Sequence, residues 1–293
     1  MSIWQRAWEG VLGLLALLGL VLVLTTSGDL LAGVLAQAGQ LGLVAMGLGL
    51  SLRTGTPNLA VGALSGLSAA LVAFTTEAGM PLPIAILLAF ALAGLAGGVM
   101  SVFTMSLSAP AWAVSLGAAV VCEAFVFALL GGRTIPLPSG ADYPGVLGFA
   151  VFAVVSVAGG LLWNRQEVRE DLGAGRPGAV VGLAGSSLLA AAGGIALLMR
   201  LGATPTGDPG FYTTVFALAA VLLGGTSPYG RHAGVAGTVL GVLILAAAQG
   251  RLAYHGAPAW VFMLVMGAVM MIGLGASKLI DALRAGELSP GPS

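Results

Sequence analysis

The sequence predicts an all-α polytopic membrane protein with about ten transmembrane helices, and three observations carry that expectation. Hydrophobic residues make up 58% of the 293 positions and charged residues only 8%, against roughly 25% charged in a soluble domain. Forty-seven glycines suit helices that approach closely in lipid, where no hydrophobic force drives helix onto helix. Short strands with alternating polar and apolar residues, which a transmembrane barrel would need, do not appear. Eleven Lys and Arg balance eleven Asp and Glu, so no net field favours nucleic acid and no charge excess sustains a disordered chain. A span needs about 20 mostly apolar residues, so the length holds roughly eight to ten spans and no soluble catalytic domain. Cys122 is the only cysteine, which excludes an intramolecular disulfide or a cysteine cluster.

Apolar runs broken by Gly, Pro and charges place spans at 10–27, 31–52, 57–76, 82–107, 111–131, 145–163, 179–199, 211–225, 234–249 and 258–277, in one domain over 1–293. Residues 1–27 have the outline of a signal peptide, with Arg6 ahead of Val11–Leu24, but Thr25 to Asp29 make a poor cleavage site and the first span is read as uncleaved. In the second span, Gln37 and Gln40 lie three apart and so share one helical face. The third opens at Pro57-Asn58, where proline removes a backbone donor and a broken helix exposes polar groups to a solute. Glu123 sits about twelve residues into the fifth span, costly unless protonated, paired or wet. It either lines a pathway or pairs between helices. Gln249 ends the ninth span, and the amides equally suit a pathway or hydrogen bonds between helices. Trp4, Trp8, Trp112, Trp163 and Trp260 fall near span ends, where the interface favours indole.

With ten spans and a cytoplasmic N terminus, eight basic residues (Arg6, Arg53, Arg165, Arg169, Arg176, Arg231, Lys278, Arg284) face the cytoplasm and three (Arg133, Arg200, Arg251) lie outside. That asymmetry follows the positive-inside rule and puts both termini in the cytoplasm. Asp208 and Arg200 then sit outside, near a docking face or as plain loop charges. His232 and His255 fall on opposite sides and share no metal. The segments starting at Leu50 and Leu197 both read Arg, Gly, Thr-Pro. Starting five spans apart, they form an inverted internal repeat, the architecture of alternating-access transporters, unless two Gly-rich segments agree by chance.

No phosphate loop is present: the only lysine, Lys278, sits in Gly275-Ala-Ser-Lys278-Leu-Ile without the glycine spacing that cradles phosphate. ATP, if used, is hydrolysed by a separate subunit. The alternative is a stand-alone gradient-driven carrier protonated at Glu123. A membrane enzyme is disfavoured, since no cluster has catalytic or metal-ligand spacing.

The stretch Phe216–Leu245, with Leu223-Gly224-Gly225-Thr226-Ser227 followed by Gly234 and Gly237-Thr238, resembles the ribose-type, or simple-sugar, permeases of ABC importers and their branched-chain amino acid relatives. Ala109–Ala118 is similar to the family's proline-initiated segment, and Thr54–Gly62 stands in place of its Asp-Leu-Ser-Val-Gly stretch. Order and spacing agree from about residue 31 to 277. The resemblance implies a cell-membrane permease that binds no cofactor itself. Its partners would be a second permease, a cytoplasmic ATP-binding subunit and an extracytoplasmic solute-binding protein. The solute would be small and polar, a sugar or similar molecule, and Asn58, Glu123, Gln37, Gln40 and Thr226 would contribute to its pathway.

Three departures stand out. The family's Asp and Ser fall at Asn58 and Ala60, and Glu123 stands where relatives commonly carry a basic residue. The loop Asn164–Ala179 is shorter and more charged than the family's coupling segment. Within it, Gln166, Glu167, Val168, Arg169, Glu170, Asp171 and Leu172 have the makings of two helical turns ended by Gly173, either a small coupling helix or a solvated connector. So short a lever implies a heteromeric pair in which the other permease carries most of the ATPase contact.

Overall fold

The computed structural model describes residues 3–137, 145–173, 175–205, 209–227 and 234–288. Their elements in chain order are α1 (Ile3–Leu24), α2 (Gly28–Arg53), α3 (Val61–Glu77), α4 (Leu82–Ser106), α5 (Ala111–Leu130), α6 (Val146–Asn164), α7 (Gln166–Leu172), α8 (Arg176–Leu201), α9 (Pro209–Leu223), α10 (Val235–Tyr254) and α11 (Ala259–Leu288). Eight helices are long and apolar enough to cross a membrane, and α3 and α9 are shorter apolar helices. These ten stand at the ten apolar runs of the sequence, and the protein is an all-helical, multi-pass membrane protein.

Boundaries depart from the sequence reading where tertiary contacts act on the helix ends. The first helix begins at Ile3 and not near residue 10, and the Trp8 indole donates to the Leu223 carbonyl at 2.9 Å, capping the end of α9. The third begins at Val61, not 57, because the Ser51 and Ser115 hydroxyls accept from Asn58 N and Leu59 N and Asn58 Oδ1 accepts from Ala60 N, which holds residues 58–60 in a turn ahead of the helix. The last two run on to Tyr254 and Leu288, past Gln249 and Lys278, since polar residues continue a helix once it leaves the apolar layer.

Close contacts between glycines and their neighbours fix the sense of packing. Along α2, Gly39 lies on Gly148 and Phe149, and Gly42 on Phe152, so α6 runs parallel to it; Gly47 lies on Ser186 and Gly193 on Gln40 and Val44, so α8 runs antiparallel. Gly224 meets Gly237 and Gly241 meets Ala220, which makes α9 and α10 antiparallel. Gly97 meets Ala184 and the Ser101 hydroxyl donates to Ala179 O at 3.3 Å, which makes α4 and α8 antiparallel. Each sense is what ten successive crossings require. A Cβ at Gly97, Gly194 or Gly224 would strike backbone of the facing helix, so these crossings are close because the residues are small.

Helix α2 is the axis of the bundle, buried on nearly all sides from Val34 to Arg53. Around it α3 packs on α8 as α9 packs on α2, α4 on α8 as α10 on α2, and α5 on α3 as α11 on α9. Large apolar side chains of the outer helices, such as Leu14, Leu87, Val120, Val154, Leu161 and Met271, are exposed, as the lipid-facing surface of a membrane protein is. One end of the bundle is tied by the Arg133–Glu77 ion pair at 2.7 Å, the only one among the described residues. At the same end Thr204 N donates to Ile135 O at 3.0 Å and Leu137 N to Gly202 O at 2.8 Å. The Glu77 carboxylate raises the Arg133 pKa through this hydrogen bond and its charge.

Candidate solute pathway

After Arg53 the chain turns back into the bundle. Gly55 takes φ +70°, a left-handed conformation that favours glycine. Thr54 and Thr56 share a hydrogen bond at 2.9 Å and their hydroxyls press on Gly182 of α8. Asn58, fully buried, is then held on four sides. Its N–H donates to Ser51 Oγ at 3.0 Å, its Nδ2 to Ser186 Oγ at 2.7 Å and Ser187 Oγ at 3.4 Å, and its Oδ1 accepts from Ala60 N at 3.0 Å. Ser115 of α5 accepts from Leu59 N at 3.0 Å and donates to Pro57 O at 3.2 Å. The non-helical backbone of residues 54–60 is thus satisfied by carbonyls at the end of α2, by the Ser51 and Ser115 hydroxyls and by the Asn58 side chain that α8 holds in place, as irregular backbone at membrane depth requires when it is buried in protein. Since Ser65 lies on Gly194, and its neighbour Gly193 on Gln40 midway along α2, α3 starts part-way into the bundle.

The first turn of α9 comes to meet it. Gly62 N donates to Thr214 Oγ1 at 3.1 Å, and Gly210 lies against Ala63 and the carboxylate of Glu123. A Cβ on Gly210 would occupy the space of Glu123 Oε1. The positive N-terminal ends of two short helices therefore converge beside one half-buried carboxylate, and helix N-termini stabilise negative charge. Glu123 is thereby placed to hold the ends of α3 and α9 together.

The amides lie on the other flank of α2. Gln37 is half-buried, and Gln40 is 6% exposed with an Oε1 that accepts no hydrogen bond. The Tyr212 hydroxyl of α9 faces Gln249 of α10, yet neither Tyr212 Oη nor Gln249 Oε1 makes a well-formed hydrogen bond. Gly250 packs on Val34, one turn from Gln37, so Gln37, Tyr212 and Gln249 share a level of the bundle. Buried polar atoms left unfilled cost about 1–3 kcal/mol each, and such atoms mark places for water or a polar solute. Thr226, fully buried with a free Oγ1, follows the Gly224–Gly237 crossing, so the glycines of that sequence motif make the α9–α10 contact. Asp208, Arg231 and His232 lie outside the described residues.

Arg53, read from sequence only as a loop charge, is 4% exposed. Its Nη2 donates to Gly234 O at 3.2 Å and Thr238 Oγ1 at 3.3 Å, and its guanidinium stands 5.9 Å from the centre of the Trp163 ring. It joins the end of α2 to the start of α10 and the end of α6. Next to it is α7, where Gln166 donates to Glu170 at 2.7 Å. Val168 and Leu172 are half-buried; Glu167, Arg169, Glu170 and Asp171 are exposed. Ser51, Ser115, Ser186, Ser187, Arg53 and Tyr212 all escaped the sequence reading. The adjacent pair Ser186-Ser187 inside an apolar glycine-rich run was the available signal.

The family described as the permease component of the branched-chain amino acid transport system matches residues 30–169. The autoinducer 2 import system permease protein LsrC of Enterobacter sp. (strain 638) is 27% identical over 292 residues, covering 91% of this chain and 85% of the relative. LsrC of Escherichia coli (strain K12 / DH10B) is 27% identical over 288 residues, covering 87% and 84%. No solved structure matches at a significant level. The resemblance to ABC-importer permeases of the sugar and branched-chain amino acid type, first apparent in Phe216–Leu245, is borne out by comparisons that span most of the chain.

Proposed function

We propose that this chain, similar along nearly its whole length to sugar-type ABC-importer permeases, is itself the membrane-spanning subunit of an ATP-driven importer. The observation that carries the reading is that similarity, 27% identity across 91% of the chain, to permeases of an import system. The bundle supports it in kind: two short helices begin inside the membrane layer, beside polar groups with unfilled hydrogen-bonding capacity. The corresponding packing of α2–α5 and α8–α11 supports an inverted repeat, and rocking of one half against the other would open the site to each side in turn.

In this reading the solute is small and polar, a sugar or similar molecule, and autoinducer 2, named for the relatives, is the first to try. An extracytoplasmic binding protein delivers it, a separate cytoplasmic subunit hydrolyses ATP, and a second permease completes the pathway in a heteromeric pair. Both termini are cytoplasmic, and α7 meets the ATP-binding subunit. Gln40 and the polar level of Gln37, Tyr212 and Gln249 contact the solute, while Asn58 and Glu123 hold the broken helices that shape its path. The test is uptake into vesicles holding this chain, its partner permease and the ATP-binding subunit, with the binding protein outside. Uptake that requires ATP supports the proposal. Uptake by this chain alone, driven by a proton gradient and abolished by Glu123→Gln, overturns it in favour of a gradient-driven carrier.

A further inference from the structure

A cleft of about 230 Å³ opens between α4 and α6, floored by α2 and α8. Its walls include Leu43, Phe90, Leu147, Val151 and Ile195, and Arg200 is the single polar side chain lining it. Leu147 and Val151 are 51% and 42% exposed, so the cleft opens sideways, onto the surface that faces lipid. Arg200 stands in the last turn of α8, at the level where a membrane helix reaches the headgroups. Its Nε is buried and accepted by no group, and among the described residues it forms no ion pair. From Arg200 the lining of α8 descends through Met199, Ala196 and Ile195 to Ala192, about 12 Å at 1.5 Å per residue.

We propose that this cleft is a binding site for an anionic phospholipid, with one acyl chain between α4 and α6 and the headgroup phosphate on Arg200. The charge and the walls have to be explained together. A sugar-like solute gains nothing from apolar walls and cannot neutralise a guanidinium. A free phosphate would satisfy the guanidinium and leave the apolar trough unused. A neutral acyl chain would fill the trough and leave the buried Arg200 Nε without an acceptor, which is costly. An amphiphile with an anionic head satisfies both, and the bilayer supplies it from the side on which the cleft opens. The site is separate from the polar level between α2, α9 and α10, so the inference does not depend on the identity of the solute. Bound lipid would wedge α6 against α4 and α8, where the protein leaves a gap.

The test uses the full chain in detergent and native mass spectrometry with dioleoyl-phosphatidylglycerol or dioleoyl-phosphatidylcholine. One phosphatidylglycerol should be retained per chain in preference to phosphatidylcholine. A charge-assisted contact of about 1.5–3 kcal/mol corresponds to roughly tenfold or more in affinity, so Arg200→Gln should remove most of that preference and Arg200→Lys should keep part of it. Arg133→Gln, at the exposed ion pair, should leave it unchanged. Ala192→Leu, which fills the trough without touching the charge, should weaken both lipids. Millimolar sodium phosphate should not displace the bound lipid; displacement would show a plain anion site and overturn the proposal. Equal retention of the two lipids by the wild type would also overturn it. So would a preference that survives Arg200→Gln, and if that variant does not fold, retention of both lipids undiminished by Ala192→Leu overturns the proposal.

Discussion

Replacing Asn58 by Ala separates a structural pin from a solute contact. The substitution removes the Nδ2 bonds to Ser186 at 2.7 Å and Ser187 at 3.4 Å, and the Oδ1 acceptor for Ala60 N at 3.0 Å. The serines lose little, since Ser186 and Ser187 keep their own donation to Leu183 O at 3.0 and 2.7 Å. Ala60 loses more, because its N–H, at the cap just ahead of α3, lies within a fully buried site, and an orphaned buried donor costs about 1–3 kcal/mol. The shorter Ser186 bond adds about 0.6–1.5 kcal/mol, at the scale measured between membrane helices and in soluble proteins. The sum is a loss of about 2–4 kcal/mol, roughly 30- to 1,000-fold in the folding equilibrium. Reversible unfolding in mixed detergent micelles should show it. Uptake per folded molecule should keep the same half-saturating solute concentration, because the side chain is engaged on every side by protein. A loss under about 0.5 kcal/mol would refute the hydrogen-bond reasoning, and a raised half-saturation at unchanged stability would place Asn58 in contact with solute. Asn58→Asp is a further check, since a carboxylate has no donor for the serines and their hydroxyls would have to leave Leu183 O to serve it.

Four further outcomes are expected. Glu123→Gln keeps the shape beside Gly210 but removes the charge facing two helix N-termini, and should destabilise by about 1–2 kcal/mol in the same unfolding assay. Arg53→Lys should retain the charge yet loosen the junction of α2, α6 and α10, because an ammonium lacks the planar fork that reaches Gly234 and Thr238 while stacking on Trp163; limited proteolysis should then cut faster near α7. Changing Glu167 to Asp171 into a Gly-Ser segment should lower ATP-driven uptake only modestly, whereas the same change in the partner permease should abolish it; complete loss here, with normal assembly, would make α7 a principal coupling element. A cysteine introduced near Ser289, beyond the described residues, should be labelled only in permeabilised cells, and ready labelling from outside would reverse the orientation.

Composition and apolar runs alone made the fold class legible, because lipid demands long uncharged stretches and helical backbone wherever the chain meets hydrocarbon. The stretch Gln166–Leu172 was legible for a local reason: its polar residues favour a short helix and Gly173 ends it. The site was legible in part. Asn58, Glu123, Gln37 and Gln40 announce themselves as polar residues in apolar runs, and Leu223 to Thr238 as a glycine pattern. What each side chain meets was not legible. Glu123 lies beside Gly210, Asn58 beside Ser186 and Ser187, and Arg53 beside Thr238 and Trp163, and every one of these pairings crosses between helices far apart in sequence. The inside start of α3 follows from the same cause, since Pro57 predicts a break but only the Ser51 and Ser115 hydroxyls and an Asn58 side chain anchored on α8 allow that break to be buried. By itself the sequence determined that there are ten apolar helices, that the helical pattern breaks between the second and third at Pro57, and that Gln37, Gln40, Asn58 and Glu123 interrupt apolar runs, because these follow from local hydropathy and backbone chemistry. Only the tertiary structure decided which polar atoms are satisfied and which stay open, because a hydrogen bond at membrane depth depends on the register of two packed helices, and that register is set by where small residues let their backbones touch.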